Sequence, residues 1–197
     1  METVPQSDKF QSFEYLVRKG FLNLWHQKFR VYDPHGELIL YAELKALKLK
    51  EDVSVYSDEA KSREMFRIKA RQILDISATY DIVDSDSQTK LGAVRRAGIK
   101  SMLRDEWTIM DSSDNEIAKI QEDSMALALV RRFLSNLIPQ KFTVSINGEP
   151  LIYFKQNFNP FLLKMHLDFK RDINQALDRR VGIIAAIMLC AIEGRQQ

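Results

Sequence analysis

Cysteine and histidine, the residues that most often bind metals or act as nucleophiles, are scarce in this chain of 197 residues. There is one cysteine, Cys190, and there are three histidines, His26, His35 and His166. A single cysteine excludes an intrachain disulfide, and its place within an apolar run favours a buried, unreactive thiol. The histidines lie far apart, and no His-x-x-x-His or Cys-x-x-Cys pattern occurs. The sequence therefore predicts no metal site and fits a reducing compartment.

Nucleotide-binding and hydrolase signatures are also missing. The chain has only seven glycines, and it contains no Gly-x-Gly-x-x-Gly, Gly-Lys-Ser/Thr or Gly-x-Ser-x-Gly segment. The acidic groups fall in predicted turns, where Asp is favoured because its side chain accepts backbone hydrogen bonds. These groups are Asp81, Asp84 and Asp86, and further along Asp111 and Asp114. We therefore predict a protein that is not an enzyme, with no catalytic residues and no cofactor.

A strong excess of charge is missing as well. The chain has 29 Lys and Arg residues against 27 Asp and Glu residues, for a formal net charge of +2. A nucleic-acid-binding domain usually has a clear and clustered excess of basic residues, so that class is disfavoured. The first eight residues lack the basic and apolar regions of a secretory signal. No apolar run approaches the length of about 20 residues that a membrane-spanning helix needs. We therefore expect a cytoplasmic protein that is not transmembrane.

The longest apolar run is Val181–Ile192, in which no residue carries a charge, an amide or a hydroxyl. A helix built from this run is apolar on every side, so all of its faces must be buried. Asp178 is suited to cap its amino end, and Gly194 is suited to cap its carboxyl end. We predict a buried helix over 178–193. Small residues form a stripe along it, where neighbouring chain can approach closely: Gly182, Ala186 and Cys190.

A β-hairpin pattern recurs five times before this helix. Its outgoing strands begin at residues 29, 53, 80, 107 and 142, and each is followed by a polar turn and a returning strand. In the first copy the turn is Pro34-His35-Gly36, where Pro presets φ and Gly accepts a positive φ. Two more strands are predicted, Phe13 to Arg18 and Lys164 to Lys170. The predicted fold is mainly β, with twelve antiparallel strands.

Twelve consecutive antiparallel strands leave no exposed edge if they close into a barrel. A closed barrel of that many strands has a lumen too wide for wall side chains to fill, so we expect the apolar helix to fill it. Apolar residues at helical spacing predict one further helix at 124–137, either covering a barrel end or presenting a partner surface. Since no linker interrupts the chain, we predict one domain, 1–197, with 1–12 as a flexible N-terminal arm.

Two stretches resemble the LURP-one-related family, which belongs to a wider tubby-like and phospholipid-scramblase-like group. One is the hairpin of Val31-Tyr32-Asp33 and Leu38 to Ala42, and the other is the ending from Leu177 to Ile187. The resemblance extends over most of the chain, from Phe13 to Gly194. It rests on the order of hairpins and terminal helix rather than on one motif. It implies a twelve-stranded barrel around a central C-terminal helix, whereas the biochemical function of most members is unassigned.

The resemblance also suggests a candidate site, because tubby-type domains bind phosphoinositide headgroups through basic residues that alternate along a strand. Such residues occur here on two neighbouring predicted strands. We expect them to dock on anionic phospholipid headgroups, which would place the protein at the membrane periphery. The other interpretation is the solvated outer face of a barrel strand. The candidate residues are Arg63, Arg67, Lys69, Arg71, Arg95 and Arg96.

Two alternative functions stay open beside this leading hypothesis of a non-enzymatic binding or regulatory module. A soluble protein-binding scaffold would use Met125–Leu137 or the aromatic segment Phe154–Phe161 as its contact. A scramblase-like membrane protein would need Val181–Ile192 to face lipid, and Gly-x-x-x-Ala within it is a known dimerisation spacing. However, the cysteine cluster and Pro-rich arm of scramblases are missing. The acids before the helix are also too widely spaced for a calcium loop: Asp168, Asp172 and Asp178.

Overall fold

The computed structural model describes residues 8–20, 26–45, 52–71, 78–96, 106–123, 140–157 and 162–192. These residues form a closed antiparallel barrel of twelve strands and one α-helix, preceded by a 3-10 turn at Asp8–Phe10. The strands are β1 (Glu14–Gly20), β2 (His26–Tyr32), β3 (Leu38–Lys45), β4 (Val53–Tyr56), β5 (Glu64–Ala70), β6 (Thr79–Asp84), β7 (Lys90–Arg96), β8 (Glu106–Met110), β9 (Glu116–Glu122), β10 (Lys141–Ile146), β11 (Glu149–Gln156) and β12 (Leu162–Asp168). The helix is α1 (Arg179–Ile192).

Each strand pairs with the next one along the chain, and the barrel closes where β1 pairs with β12. The closing register runs from Glu14 opposite Asp168 to Gly20 opposite Leu162. The predicted fold class is confirmed, and all twelve predicted strands are present within a few residues of their expected bounds. Closure gives every strand two neighbours, so the ladder hydrogen bonds have no open edge.

The hairpin turns explain why the sequence pattern repeats. Asp33 Oδ1 accepts hydrogen bonds from the backbone N–H groups two and four residues further on, at 2.9 and 2.8 Å. Asp111 Oδ1 does the same, at 2.8 and 2.9 Å. The third residue after each aspartate has a left-handed backbone, with φ of 83° at Gly36 and 70° at Asp114. One turn geometry is therefore built twice by an aspartate at the end of an outgoing strand.

The helix α1 fills the lumen, as the apolar run predicts. Every residue from Val181 to Ile192 is buried, and the hydrophobic side chains among them are at most 6% exposed. The predicted amino-terminal cap is confirmed, because Asp178 Oδ1 accepts the N–H of Arg180 at 2.9 Å. The predicted carboxyl-terminal cap, Gly194, lies outside the described residues.

Small residues let the helix and the wall approach each other closely. A Cβ added at Gly182 would lie 2.9 Å from the ring of Phe169. Further along α1, Cys190 Sγ lies 3.7 Å from Met165 Sδ of β12. On the wall, a Cβ at Gly92 would lie 2.6 Å from a backbone carbonyl oxygen of β8. The expected close packing is thus confirmed at Gly182 and Cys190.

Two sequence predictions fall partly or wholly beyond the described residues. The helix predicted at 124–137 lies outside them. The predicted N-terminal arm is described only from residue 8, where Phe10 is 6% exposed and its ring meets that of Phe66 edge-on at 5.8 Å. The chain therefore packs on the barrel from Phe10 onward. Of the helices in the described ranges, none has the length and apolar character needed to cross a membrane.

Candidate functional site

The predicted basic residues lie on and beside β5, and strand alternation decides which of them face outward. Arg67 and Lys69 are exposed, whereas the residues between and beside them, Phe66 and Ile68, are buried against the core. This is the alternation that the sequence pattern predicts. We call the outward group of Arg63, Arg67, Lys69 and Arg71 the basic strip, and it runs along a single strand and its two ends.

Acidic partners accompany the arginines near the start of β5. Arg63 Nη2 lies 2.5 Å from Asp86 Oδ2. Arg67 lies 2.9 Å from Glu64, three residues before it. Glu64 also accepts hydrogen bonds from the hydroxyls of Ser54 and Ser85, at 2.6 and 2.9 Å. Although burial raises the pKa of Glu64, these hydroxyls and Arg67 outweigh it and leave the pKa lowered.

A four-membered network of alternating charges holds the other end of the strip. Arg71 Nη2 lies 2.7 Å from Asp81 and 2.5 Å from Asp114. Lys90 Nζ contacts the same two carboxylates, at 3.4 and 2.6 Å. The hydrogen bonds that Arg71 donates to the carboxylates of Asp81 and Asp114 raise its pKa. Burial raises the pKa of Asp81, but Arg71 and Lys90 lower it by more. The network ties β5, β6 and β7 to the turn after β8.

The two predicted arginines of β7 do not share a face, because neighbouring strand residues point to opposite sides. Arg95 faces outward and forms an ion pair with Glu116. Arg96 alternates with it and stands on the inner side, opposite the fully buried Trp107 in the ladder. This corrects the expectation that Arg96 belongs to the outer group. The structure brings Arg67, Lys69 and Arg71 together and separates them from Arg96.

Lys69 differs from the arginines of the strip. In the ladder it stands opposite Asp81, which is engaged by Arg71 and Lys90. Within the described ranges, Lys69 takes part in no ion pair of its own. The arrangement can therefore offer one ammonium group, flanked by two guanidinium groups, to an anion outside the barrel.

The family model described as LURP-one-related matches residues 38–189, from the start of β3 almost to the end of α1. The chain belongs to the LURP-one-related family. No curated protein and no solved structure matches the chain. Membership of the LURP-one-related family is consistent with a tubby-like domain, and the hairpin order that carries the resemblance is the order observed.

Sequence reasoning missed a second group of outward basic side chains on the opposite side of the barrel. They lie on β10, β11, β12 and β1, strands that include the first and the last of the sheet. The signal that could have found them is the residue parity within each predicted strand, combined with barrel closure. We call them the basic row: Lys141, Lys155, His166, Lys164 and Arg18.

Other chemistry-bearing groups lie apart from these two surfaces. Cys190 is buried within α1, and burial raises the pKa of its thiol to about 12. His35 is exposed in a turn, and His166 is exposed on β12. In the part of the chain that the structure describes, no three His, Cys, Asp or Glu side chains are arranged to hold a metal ion.

Proposed function

We propose that this LURP-one-related domain is a non-enzymatic binding module that docks on anionic phospholipid headgroups through the basic strip. The observation that carries the proposal is the pair Arg67 and Lys69, which project from the outer wall at alternate positions of one strand. Because α1 occupies the lumen, the outer wall is the surface that meets a ligand. A strip along a single strand points in a single direction, which suits contact with a flat bilayer.

The ion pairs of the strip are compatible with this role. The side chains of Arg63 and Asp86 are 52% and 47% exposed, and that of Arg67 is 46% exposed. Exposed pairs of this kind contribute about 0–1 kcal/mol to stability, so a competing anion can replace the carboxylate at small cost. A phosphate accepts the forked donors of an arginine with the same bidentate geometry as a carboxylate.

The test is co-sedimentation of the full chain with phosphatidylcholine vesicles that contain increasing fractions of phosphatidylserine, at low and at physiological salt. We expect binding that rises with the anionic fraction and falls as salt screens the charges. The triple variant Arg67→Gln, Lys69→Gln, Arg71→Gln should bind more weakly. Absence of binding, or binding insensitive to salt, would reject docking on anionic headgroups.

A matched control separates the strip from the general charge of the protein. The variant Lys28→Gln, Arg30→Gln, Lys61→Gln removes the same number of charges from neighbouring outer positions. Arg30 and Lys61 are also ion-paired, with Glu59 at 2.6 Å and Glu43 at 2.9 Å. This control should retain vesicle binding. An equal loss in both triple variants would show that the strip is not the contact.

The protein-binding alternative has two predicted contacts, and residues 158–161 of one of them lie outside the described residues. Phe154, the first residue of the aromatic segment 154–161, is 0% exposed and packs in the core. The other predicted contact, Met125–Leu137, lies outside the described residues. A protein-binding function is instead favoured by the basic row.

A further inference from the structure

The basic row crosses four adjacent strands on the outside of the barrel. In the ladder, Lys141 of β10 stands opposite Lys155 of β11, and Lys155 stands opposite His166 of β12. One outward position further along, Lys164 of β12 stands opposite Arg18 of β1. Side chains in register on neighbouring strands have their Cβ atoms about 5 Å apart. Basic side chains therefore face one another at three successive strand pairs.

The arrangement is unfavourable in itself where Lys141 faces Lys155 and where Lys164 faces Arg18, because like charges directly opposite each other destabilise a sheet. Elsewhere on the wall, outward cations stand beside acids. Lys28 faces Glu43 in the ladder, and Lys69 faces Asp81. Arg67, Lys90 and Arg95 form ion pairs with acids in the same way. Arg30 stands opposite Arg18 of the row in the ladder, but it is paired with Glu59. Lys69 and the row are among the described outward basic side chains of the strands that lack an ion pair, and in the row basic side chains also stand opposite one another.

Acids near the row are engaged elsewhere. Asp123 neighbours Lys141 in the ladder, but its carboxylate accepts the hydroxyl of Thr143 at 2.6 Å. Glu14 and Asp168, one outward position beyond His166, both contact Lys170. Arg18 stacks on the ring of Tyr32, with 4.7 Å from its guanidinium carbon to the ring centre. None of the five side chains of the row has an ion pair with another residue in the described ranges.

We propose that the basic row is a binding surface for an acidic, extended segment of a partner protein. The curvature of the wall favours a flexible chain over a membrane. Because twelve strands complete one turn around the barrel axis, the outward direction rotates by about 30° from one strand to the next. Lys141 and Arg18, three strands apart, point about 90° from each other. A flat bilayer cannot meet both, whereas a flexible chain can follow the curve.

The width of the row sets the length of the partner segment. Neighbouring strands lie about 4.8 Å apart, so the four strands span about 14 Å. An extended chain advances about 3.3 Å per residue, so a segment of about five residues crosses the row. Asp and Glu side chains along such a segment supply carboxylate partners, which the basic side chains of the row do not have on the barrel wall.

The probe is a fluorescent peptide of about six glutamates, with the glutamine peptide of equal length as its counterpart. Fluorescence anisotropy should show binding of the glutamate peptide that weakens as salt is added, and no binding of the glutamine peptide. The variant Lys141→Gln, Lys155→Gln, Lys164→Gln should lower the affinity about tenfold, because three exposed charge contacts are lost. Its melting temperature should equal or exceed that of the natural chain, since like charges are removed.

The control variant is Lys28→Gln, Lys61→Gln, Lys119→Gln, which removes as many exposed lysines that stand near acids. It should keep the peptide affinity within about twofold, since its lysines lie outside the row. Equal loss in both triple variants, or no peptide binding at low salt, would overturn the proposal. The proposal would also be overturned if the row variant kept its peptide affinity but lost binding to phosphatidylserine vesicles, because that result would assign the row to a membrane. The strip variant Arg67→Gln, Lys69→Gln, Arg71→Gln should keep peptide binding, so the lipid and peptide proposals fail independently.

Discussion

At the scale of single residues, aspartates stabilise the hairpin turns by accepting backbone hydrogen bonds. Asp33 and Asp111 each end an outgoing strand, and each accepts two backbone N–H groups of its turn. Asp84 accepts the N–H groups of the residues two and three positions further on, at 3.1 and 2.9 Å. Turn geometry repeated at several hairpins therefore explains Asp33, Asp84 and Asp111. Asp81 is also predicted in a turn, but it lies within β6 and pairs with Arg71 and Lys90.

Removal of one of these carboxylates should weaken the fold by a measurable amount. Asp111→Ala leaves two backbone N–H groups of the β8–β9 turn without their acceptor. We expect the free energy of unfolding in urea to fall by about 1–2 kcal/mol. Asp33→Ala should behave alike, because its turn has the same hydrogen bonds. Ser112→Ala, an exposed change in the same turn, is the control and should stay within about 0.5 kcal/mol. Equal stability of Asp111→Ala and Ser112→Ala would contradict this account of the turn.

At the scale of elements, the helix α1 is fixed in the lumen by a buried ion pair at its first residue. Arg179 and Asp172 are 3% and 1% exposed, and their charged atoms are 2.6 Å apart. The guanidinium also lies over the ring of Phe169, at 4.6 Å from the ring centre. A cation at a helix amino terminus opposes the helix dipole, so Asp172 offsets that cost. The pair holds α1 against the segment that links it to β12.

The contact between α1 and Phe169 gives a direct test of the packing. In an ordinary helix, Gly→Ala stabilises by about 1 kcal/mol. Gly182→Ala should instead destabilise by about 1–3 kcal/mol, because the added Cβ would lie 2.9 Å from the Phe169 ring. Gly20→Ala is the control, since its added Cβ has no neighbour within 4 Å. Adding Phe169→Leu to Gly182→Ala should recover part of the loss. Stabilisation by Gly182→Ala in chemical denaturation would refute the close contact between helix and wall.

At the scale of the whole molecule, the sequence predicts the elements better than it predicts the surfaces. Alternation and turn aspartates locate the strands, and the apolar run locates α1, because those signals are local. The surfaces depend on register and closure. Arg71 meets Asp114 across 43 residues, and Arg18 meets Lys164 only because β1 pairs with β12. Arg95 and Arg96 are neighbours on β7 and therefore point to opposite sides of the sheet, so Arg96 does not belong to the outer group. The basic row could not be read from the sequence until these pairings were known.

The hydrogen-bonded carboxylates also set the response of the whole barrel to acid. In the described ranges, seven of them have a lowered pKa: Asp58, Glu59, Glu64, Asp81, Asp84, Asp111 and Asp114. Since each pKa is lower in the folded chain than in the unfolded chain, the folded state binds fewer protons than the unfolded state at acidic pH. The stability that these groups contribute is present above their unfolded pKa values of about 3.9 to 4.3, and it is lost as the pH falls through the folded values.

We therefore expect the free energy of unfolding in urea to change little between about pH 7 and about pH 5 on account of these groups, and to fall steeply below about pH 4. Asp84 should contribute to the fall. Burial raises its pKa, but the N–H and hydroxyl of Ser87, the N–H of Asp86 and the charge of Arg180 lower it by more. Asp84→Asn should therefore be less stable at neutral pH and lose less on acidification. A free energy of unfolding that stays constant or rises between about pH 5 and about pH 3 would show that these carboxylates do not stabilise the barrel.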